Sequence, residues 1–334
     1  MRTSPGSSGR FVDTPLKWVG VVTLLLSLLL LLNQASKVFA EIRDRQRQVG
    51  ELEAIADRQQ RAGDYSQAWA SLENAAATAT QGSFLATLAS PPDPERQAVR
   101  TSQEDLAMAW LEHASAAGGA RFADTVDPLL PTLTEGAGTA AGRRKADLLA
   151  HIGWAQFLKS RDGGTEAVDP EAFYRQAIAI DAANPYAHAH WGHWLAWKRR
   201  PIEDAAAHFD AALASGRARA YVRGVQLAAL QLAATGSSQV AFLTAVEDMV
   251  RNQEPVERDT RSAVYALYAR TCDDDARLAR LTAAVPPAAQ IEVIRALFFD
   301  VDFDPAREPV RDACLERLQA AGAAVAAGQP ALLR

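Results

Sequence analysis

The sequence predicts an all-α protein, one apolar helix followed by a long series of amphipathic ones. Three observations carry that prediction. Alanine is abundant while aromatic residues make up 7% of the chain and β-branched residues are sparse, a balance that favours helix over strand. Long stretches lack Pro and Gly. Near the amino terminus an uncharged, leucine-dense run covers residues 18–34. With 334 residues, 49% hydrophobic and 22% charged, the chain has the means to build a real core, and disorder throughout is excluded.

Charge and cysteine usage narrow the function classes. The 35 basic and 40 acidic residues are well mixed, net -5, so no continuous positive surface is available for nucleic acid. Cys272 and Cys314 have no CxxC spacing and no adjacent histidine pair, which fits neither a zinc site nor a thiol redox motif. Two readings stay open for them: buried free thiols, or one disulfide if the domain lies in an oxidising compartment.

The first element is a tail, residues 1–14, rich in Ser, Gly and Pro and expected to be disordered. The apolar segment follows at 15–37. No soluble helix needs to be apolar on every face, and a helix of about 20 residues crosses the hydrocarbon layer, so this segment predicts a single membrane span with Lys17 and Trp18 at one interface. The competing reading is a cleavable signal peptide, with Val38-Phe39-Ala40 at the cut. The run is long for a signal peptide, and "EIRDRQRQVGELEAIADRQQ" continues helical patterning without a break, which favours the retained anchor. Arg2, Arg10 and Lys17 before the run nearly balance Lys37, Arg43, Arg45 and Arg47 after it. A short leading tail commonly stays in the cytoplasm. The expectation is therefore an inner (cell) membrane protein with its large domain outside, in the periplasm of a Gram-negative cell.

The next elements repeat. "ELEAIADRQQRAGDYSQAWASLENA" carries an apolar stripe at Leu52, Ile55 and Ala56, a Gly63-Asp64-Tyr65 turn, and a second stripe at Ala68, Leu72 and Ala75. "LLAHIGWAQFLK" with "DPEAFYRQAIAIDAANP" supplies Leu149, Ile152 and Gly153, then Tyr174 and Ala177. "NPYAHAHWGHWLAWKRRPIEDAAAHFDAAL" supplies His188, Trp191, Gly192 and Leu195, then Ala205, Phe209 and Ala212. The pattern resembles the tetratricopeptide repeat family, whose period is about 34 residues. It holds over 51–79 and 146–216, about a third of the chain. The loop "SRDGGTEAVD" and the stretch "KRRPIED" enlarge two of the turns. By this reading, 38–131 holds the juxtamembrane helix and first repeat-like helices, and 145–250 the main array. Residues 256–325 are degenerate or capping helices, which a solenoid needs at its ends. Residues 132–144, "TLTEGAGTAAGRR", read as a loop dividing the array, and the end of the chain, "AAGQPALLR", is expected to fray.

The densest chemistry is the stretch with His188, His190 and His193 among Trp191, Trp194 and Trp197. At about 100° per residue His188 and His190 point to nearly opposite sides, so they cannot ligate one metal together. His190 and His193 share a face, but a zinc site needs three or four ligands and the other histidines, His113, His151 and His208, make no evident cluster with them. No haem attachment motif is present. "DVDFDPAREPVR" begins like a calcium loop and fails at Pro305 and Arg311, so a helix-connecting turn is expected. Asp273 to Asp275 read as a helix N-cap cluster. No GxSxG, P-loop, GxGxxG or HExxH stands in a usable context, which points to a non-enzyme without cofactor or metal.

Within the resemblance, His188, Trp191 and Gly192 fall in packing slots. The positions that line the family's concave groove are here Trp154 and Phe157 from one repeat and Tyr186, His193 and Trp197 from the next. These five are the candidate partner-binding residues, since aromatic anchors carry interface energy. The alternative is that the same rings are core. The family's carboxylate-clamp positions hold Ala150, Trp154, Ala189 and His193, which favours an apolar or extended peptide over a charged chain terminus. The resemblance thus implies a membrane-anchored adaptor for a protein or peptide partner in envelope assembly. The alternatives are a structural subunit of a membrane complex, a secreted soluble repeat protein, or a metal carrier.

Overall fold

The computed structural model describes residues 13–91, 93–114, 121–162, 168–233, 236–299 and 303–327. Among the described residues every regular element is helical and there are no strands, so the fold is all-α. The chain divides into two compact units, Met1–Ala114 and Ser115–Arg334.

The first unit contains α1 (Asp13–Arg61), α2 (Tyr65–Ala79), α3 (Phe84–Ala89) and α4 (Asp93–Glu112). Residues 1–12 of the expected tail lie outside the described residues, and the helix already begins at Asp13. The anchor segment and the juxtamembrane helix are one element of 49 residues. Its large apolar side chains at 21–32 are all exposed, and it is the helix among the described residues that is long and apolar enough to cross a membrane. Beyond Glu41 the character changes. Arg45, Val49 and Ala56 are buried, with α2 and α4 packed along this half. The turn after α1 forms as its residues predict: Gly63 takes φ +80°, a left-handed conformation open to glycine, and the Asp64 carboxylate accepts from the Gln67 N–H to cap α2. Ala68 and Ala75, the small residues of the second stripe, are fully buried. Tyr65 stacks on Trp110 of α4 and on His113 just past its end, at 6.4 and 5.3 Å.

The second unit runs through α5 (Phe122–Thr139), α6 (Gly142–Arg161), α7 (Pro170–Ile180), α8 (Pro185–Trp197), α9 (Ile202–Ala214), α10 (Arg219–Ala233) and α11 (Gly236–Arg251). It continues through α12 (Arg258–Cys272), α13 (Asp275–Ala284), α14 (Pro287–Phe298), a short 3-10 turn (Pro305–Arg307) and α15 (Glu308–Ala326). The expected loop at 132–144 is a correction. Most of it is helical, the end of α5 and the start of α6, despite its Gly and Thr content. Leu129, Leu133, Gly136 and Ala137 recur at helical spacing and are buried where α5 packs on α6, and that burial outweighs poor intrinsic propensity. The enlarged turn after α6 falls partly on 163–167, and the chain end on 328–334, both outside the described residues.

Two hairpins, α6 with α7 and α8 with α9, form the centre of this unit, and α8 also packs on α6 and α10. Helices α7 and α8 each start with a proline in the first turn after a side-chain cap; Asp169 accepts from the Glu171 N–H ahead of α7, and Asn184 from the Ala187 N–H ahead of α8. The glycines mark the close approaches. A Cβ on Gly153 would lie 2.5 Å from Tyr174 Cε1, and one on Gly192 would lie 3.0 Å from Phe209 Cζ. Helices α10 to α15 share a core that includes Leu227, Phe242, Val246, Tyr268, Leu278, Ile294 and Leu318. Cys272 and Cys314 form a disulfide joining α12 to α15, their Cα atoms 5.4 Å apart, which decides between the two readings left open for them. Asp274 caps α13 and Asp304 caps the 3-10 turn, so the calcium-like stretch connects helices where it is described.

Candidate functional site

The five residues expected on an open groove do come together, along the line where α6 meets α8. Trp154 packs against Phe157 and, edge to face, against His193 at a centroid distance of 5.2 Å. Phe157 meets His193 at 5.4 Å and Trp197 at 5.9 Å. Tyr186 packs on His151 at 4.7 Å and Tyr221 at 5.8 Å. What they form is a covered seam. Phe157 is fully buried, and Trp154 and His193 are 7% and 4% exposed. Tyr186 is half-buried and Trp197 alone is open, at 41%. The groove assignment is corrected accordingly for Trp154, Phe157 and His193. Their rings fill the space between adjacent first helices, and α10 packs on α8 with Tyr221 reaching the same seam. Arg161 lies over Phe122, Phe157 and Trp197 at 5.0, 6.0 and 5.1 Å, closing the Trp197 end with cation–π contacts.

His190 organises this seam, and sequence reasoning did not single it out as a packing residue. It is fully buried, stacked on Trp154 at 4.6 Å. Its Nδ1 lies 3.2 Å from the Ala150 carbonyl oxygen, an atom that only accepts, so Nδ1 carries the hydrogen. Nε2, 2.7 Å from the Tyr221 hydroxyl, is then the acceptor. The ring is neutral with both nitrogens committed, and burial holds its pKa well below the usual histidine value, assisted by His151. His193 differs. Neither ring nitrogen meets strict hydrogen-bond geometry; the Val225 backbone nearby favours the charged form, but burial and then the Arg161 charge outweigh it and lower the pKa to about 4. His188 bonds His208 across to α9 at 2.9 Å and the Ala182 carbonyl at 3.1 Å, the packing role its register predicts. Among the described residues no three His, Cys, Asp or Glu side chains converge as metal ligands.

A polar tie fixes the register of these helices at their other end. Asn184 Nδ2 donates to Asp147 at 2.6 Å, and Arg217 bridges Asp147 at 3.2 Å and Asp181 at 3.0 Å. One guanidinium thereby joins α6, the turn before α8 and the turn before α10 through charge-assisted bonds.

The open apolar concavity lies one helix further on. Along α10, Ala220, Gly224, Ala228 and Gln231 recur at near-helical spacing and are exposed, while Val222, Val225, Ala229 and Leu230 on the other face are buried. With Leu227, Met249, Pro255 and Thr260 the exposed stripe lines a trough of about 520 Å³. One end is closed by an ion-pair cluster. Arg223, itself buried, donates to Glu254 at 3.1 Å and Gln226 at 2.8 Å and contacts Asp248; Arg219 donates to Glu254 at 2.8 Å. Burial raises the Glu254 pKa, but the bonds from Arg223 and Arg219 outweigh it and the net shift is downward, so the carboxylate is charged. Glu257 and Asp259 sit exposed on the rim. Two further clefts of about 640 Å³ each set three arginines among apolar and polar residues, Arg270, Arg277 and Arg280 beside Val240 and Leu267 in one, Arg258, Arg261 and Arg307 beside Leu297 and Phe303 in the other. Of these three, the α10 trough has a floor of small residues along one helix, Ala220, Gly224 and Ala228. No family model matches the chain, and no curated protein or solved structure is significantly similar to it.

Proposed function

We propose that this protein is a membrane-anchored helical-repeat adaptor of the tetratricopeptide-repeat type, acting by holding a polypeptide partner rather than by catalysis. The observation that carries the proposal is the trough on α10. Its floor of Ala220, Gly224 and Ala228 lets another backbone approach closely, Leu227 and Met249 supply apolar walls, and Glu257 and Asp259 give the rim a negative charge. Such a surface suits an extended or helical segment with apolar side chains and a basic flank. The apolar half of α1 supplies the anchor, a single pass through the cell membrane. The Cys272–Cys314 disulfide supports a domain on the oxidising side, the periplasm in a Gram-negative cell.

The test is a crosslinking pull-down from membranes with three chains. Ala228→Trp fills the trough from an exposed position and should abolish capture. Gly224→Ala adds only a methyl, with no atom within 4 Å of the new Cβ, and should capture like the wild type. Capture undiminished by Ala228→Trp sinks the trough as the binding surface.

A further inference from the structure

The short helix α3 is amphipathic in the wrong sense for a soluble domain. At about 100° per residue, Phe84, Leu85 and Leu88 fall within an arc of about 100°, while Ala86 lies on the other side. The small Ala86 is the buried member, and the three large residues point outward, 80%, 50% and 70% exposed. Burying three such side chains is worth far more than burying one alanine methyl, so the orientation needs a cause. It lies in how α3 is held. Glu41 of α1 accepts from both the N–H and the hydroxyl of Ser83, the residue that caps α3. Arg45, one turn further along α1, donates to the Gln81 carbonyl at 3.4 Å and the Ser90 carbonyl at 3.3 Å, spanning both ends of the helix. Arg45 is itself locked by Glu95 at 3.0 Å. The clamp fixes α3 against α1 with its apolar face turned out.

The height of the clamp identifies what that face meets. Glu41 follows Lys37, the first charge after the apolar run, by about 6 Å of helix rise. The headgroup layer extends roughly 5–8 Å beyond the hydrocarbon on each side. If α1 spans the bilayer, as proposed above, α3 sits at headgroup level. We propose that α3 is an interfacial wedge, its Phe84, Leu85 and Leu88 inserted at the headgroup–acyl boundary of the membrane that α1 crosses. The occupant of this apolar face is lipid, continuous with the lipid around the exposed leucines of α1. The wedge, together with the α1 span, makes two attachments at one membrane surface and sets the orientation of the first unit against it.

The inference rests on the anchor reading, and one experiment separates the two. The full chain is reconstituted into phosphatidylcholine–phosphatidylglycerol vesicles with single nitroxide labels at Leu28→Cys, Leu88→Cys or Glu73→Cys. Cys272 and Cys314 are paired and do not take the label. Accessibility to oxygen, which concentrates in lipid, is compared with accessibility to a water-soluble nickel chelate. The expected result is lipid-like behaviour at residues 28 and 88, with nickel accessibility several-fold below that at the water-exposed residue 73. Lipid-like behaviour at 28 with water-like behaviour at 88 overturns the wedge and leaves the anchor standing. Protection of residue 88 from both reagents, or spin–spin broadening there, means protein covers α3 and also overturns the wedge. Water-like behaviour at residue 28 overturns the anchor and the wedge together.

Discussion

Replacing His193 with leucine should remove much of the acid sensitivity of the second unit. The folded-state pKa is lowered from 6.5 to about 4, because burial among Trp154 and Phe157 and the facing Arg161 charge both disfavour the imidazolium. A depressed folded pKa favours the neutral ring in the fold, so the stability it contributes is complete above pH 6.5 and is lost as pH falls towards 4. At pH 5 the unfolded chain holds the proton and the folded one does not, a difference of about 2 kcal/mol, rising to about 3 kcal/mol below pH 4. His190, neutral and fully buried, adds acid sensitivity of the same sign that the variant retains. Urea unfolding of the detergent-solubilised chain, followed by tryptophan emission, reads this directly, since Trp154, Trp191, Trp194 and Trp197 all lie in α6 and α8. Between pH 7.5 and 5, above the range of ordinary carboxylates, the wild type should lose about 2 kcal/mol more than His193→Leu. At pH 7.5 the variant should be about as stable as the wild type, because leucine removes two poorly satisfied buried nitrogens while losing one edge-on and one tilted ring contact and the weak approach to the Val225 backbone. Equal losses in the two proteins would refute the argument that burial and the Arg161 charge hold this imidazole neutral.

Two further outcomes test the packing and the compartment. Gly153→Ala should destabilise by about 1–3 kcal/mol, because its Cβ would meet the ring of the fully buried Tyr174 at 2.5 Å; Gly192→Ala, with closest approaches of 3.0 and 3.1 Å, should cost less. Urea midpoints decide, and a stabilised Gly153→Ala, the sign helix propensity alone gives, would contradict the close approach. Opening the Cys272–Cys314 bond, 42 residues apart in sequence, should cost about 4 kcal/mol on the loop-entropy account, visible as a lower melting temperature in reductant. Free thiols in protein taken directly from membranes would remove the support for an oxidising compartment.

The helical class, the caps and the close glycine contacts were legible because each depends on residues a few positions apart. Asp64, Asn184 and Asp274 announce helix starts, and Gly153 and Gly192 mark where a neighbour must come close. The seam was not legible in the same way. Trp154, Phe157 and His193 occupy positions that face a groove or a neighbour depending on what covers them, and the answer comes from α10, whose Tyr221 lies 31 residues from His190. Local pattern carries no information about such a lid. The end of α5 was misjudged for a related reason: Gly136 and Thr139 disfavour helix locally, and burial against α6 decides otherwise. The trough did leave a signal, Ala220, Gly224 and Ala228 every fourth residue, but the same spacing serves an ordinary solvated helix face until the pocket beside it is known.

The continuity of α1 bears on whether its apolar half stays attached. A cut after Ala40 would leave Glu41, Arg45, Val49 and Ala56 in place, so the core of the first unit, and the clamp on α3, do not need the apolar half in order to form. What that half contributes is position. Helix dihedrals run unbroken from Asp13 to Arg61, so on the proposed anchor reading the bilayer direction would be transmitted to the first unit without a flexible linker. A released domain would carry Phe84, Leu85 and Leu88 into water with nothing to offset their hydration. On the anchor reading, a retained helix would bring the same three side chains to the one place where their exposure is favourable. The membrane role proposed for α3 therefore follows from the anchor and falls with it.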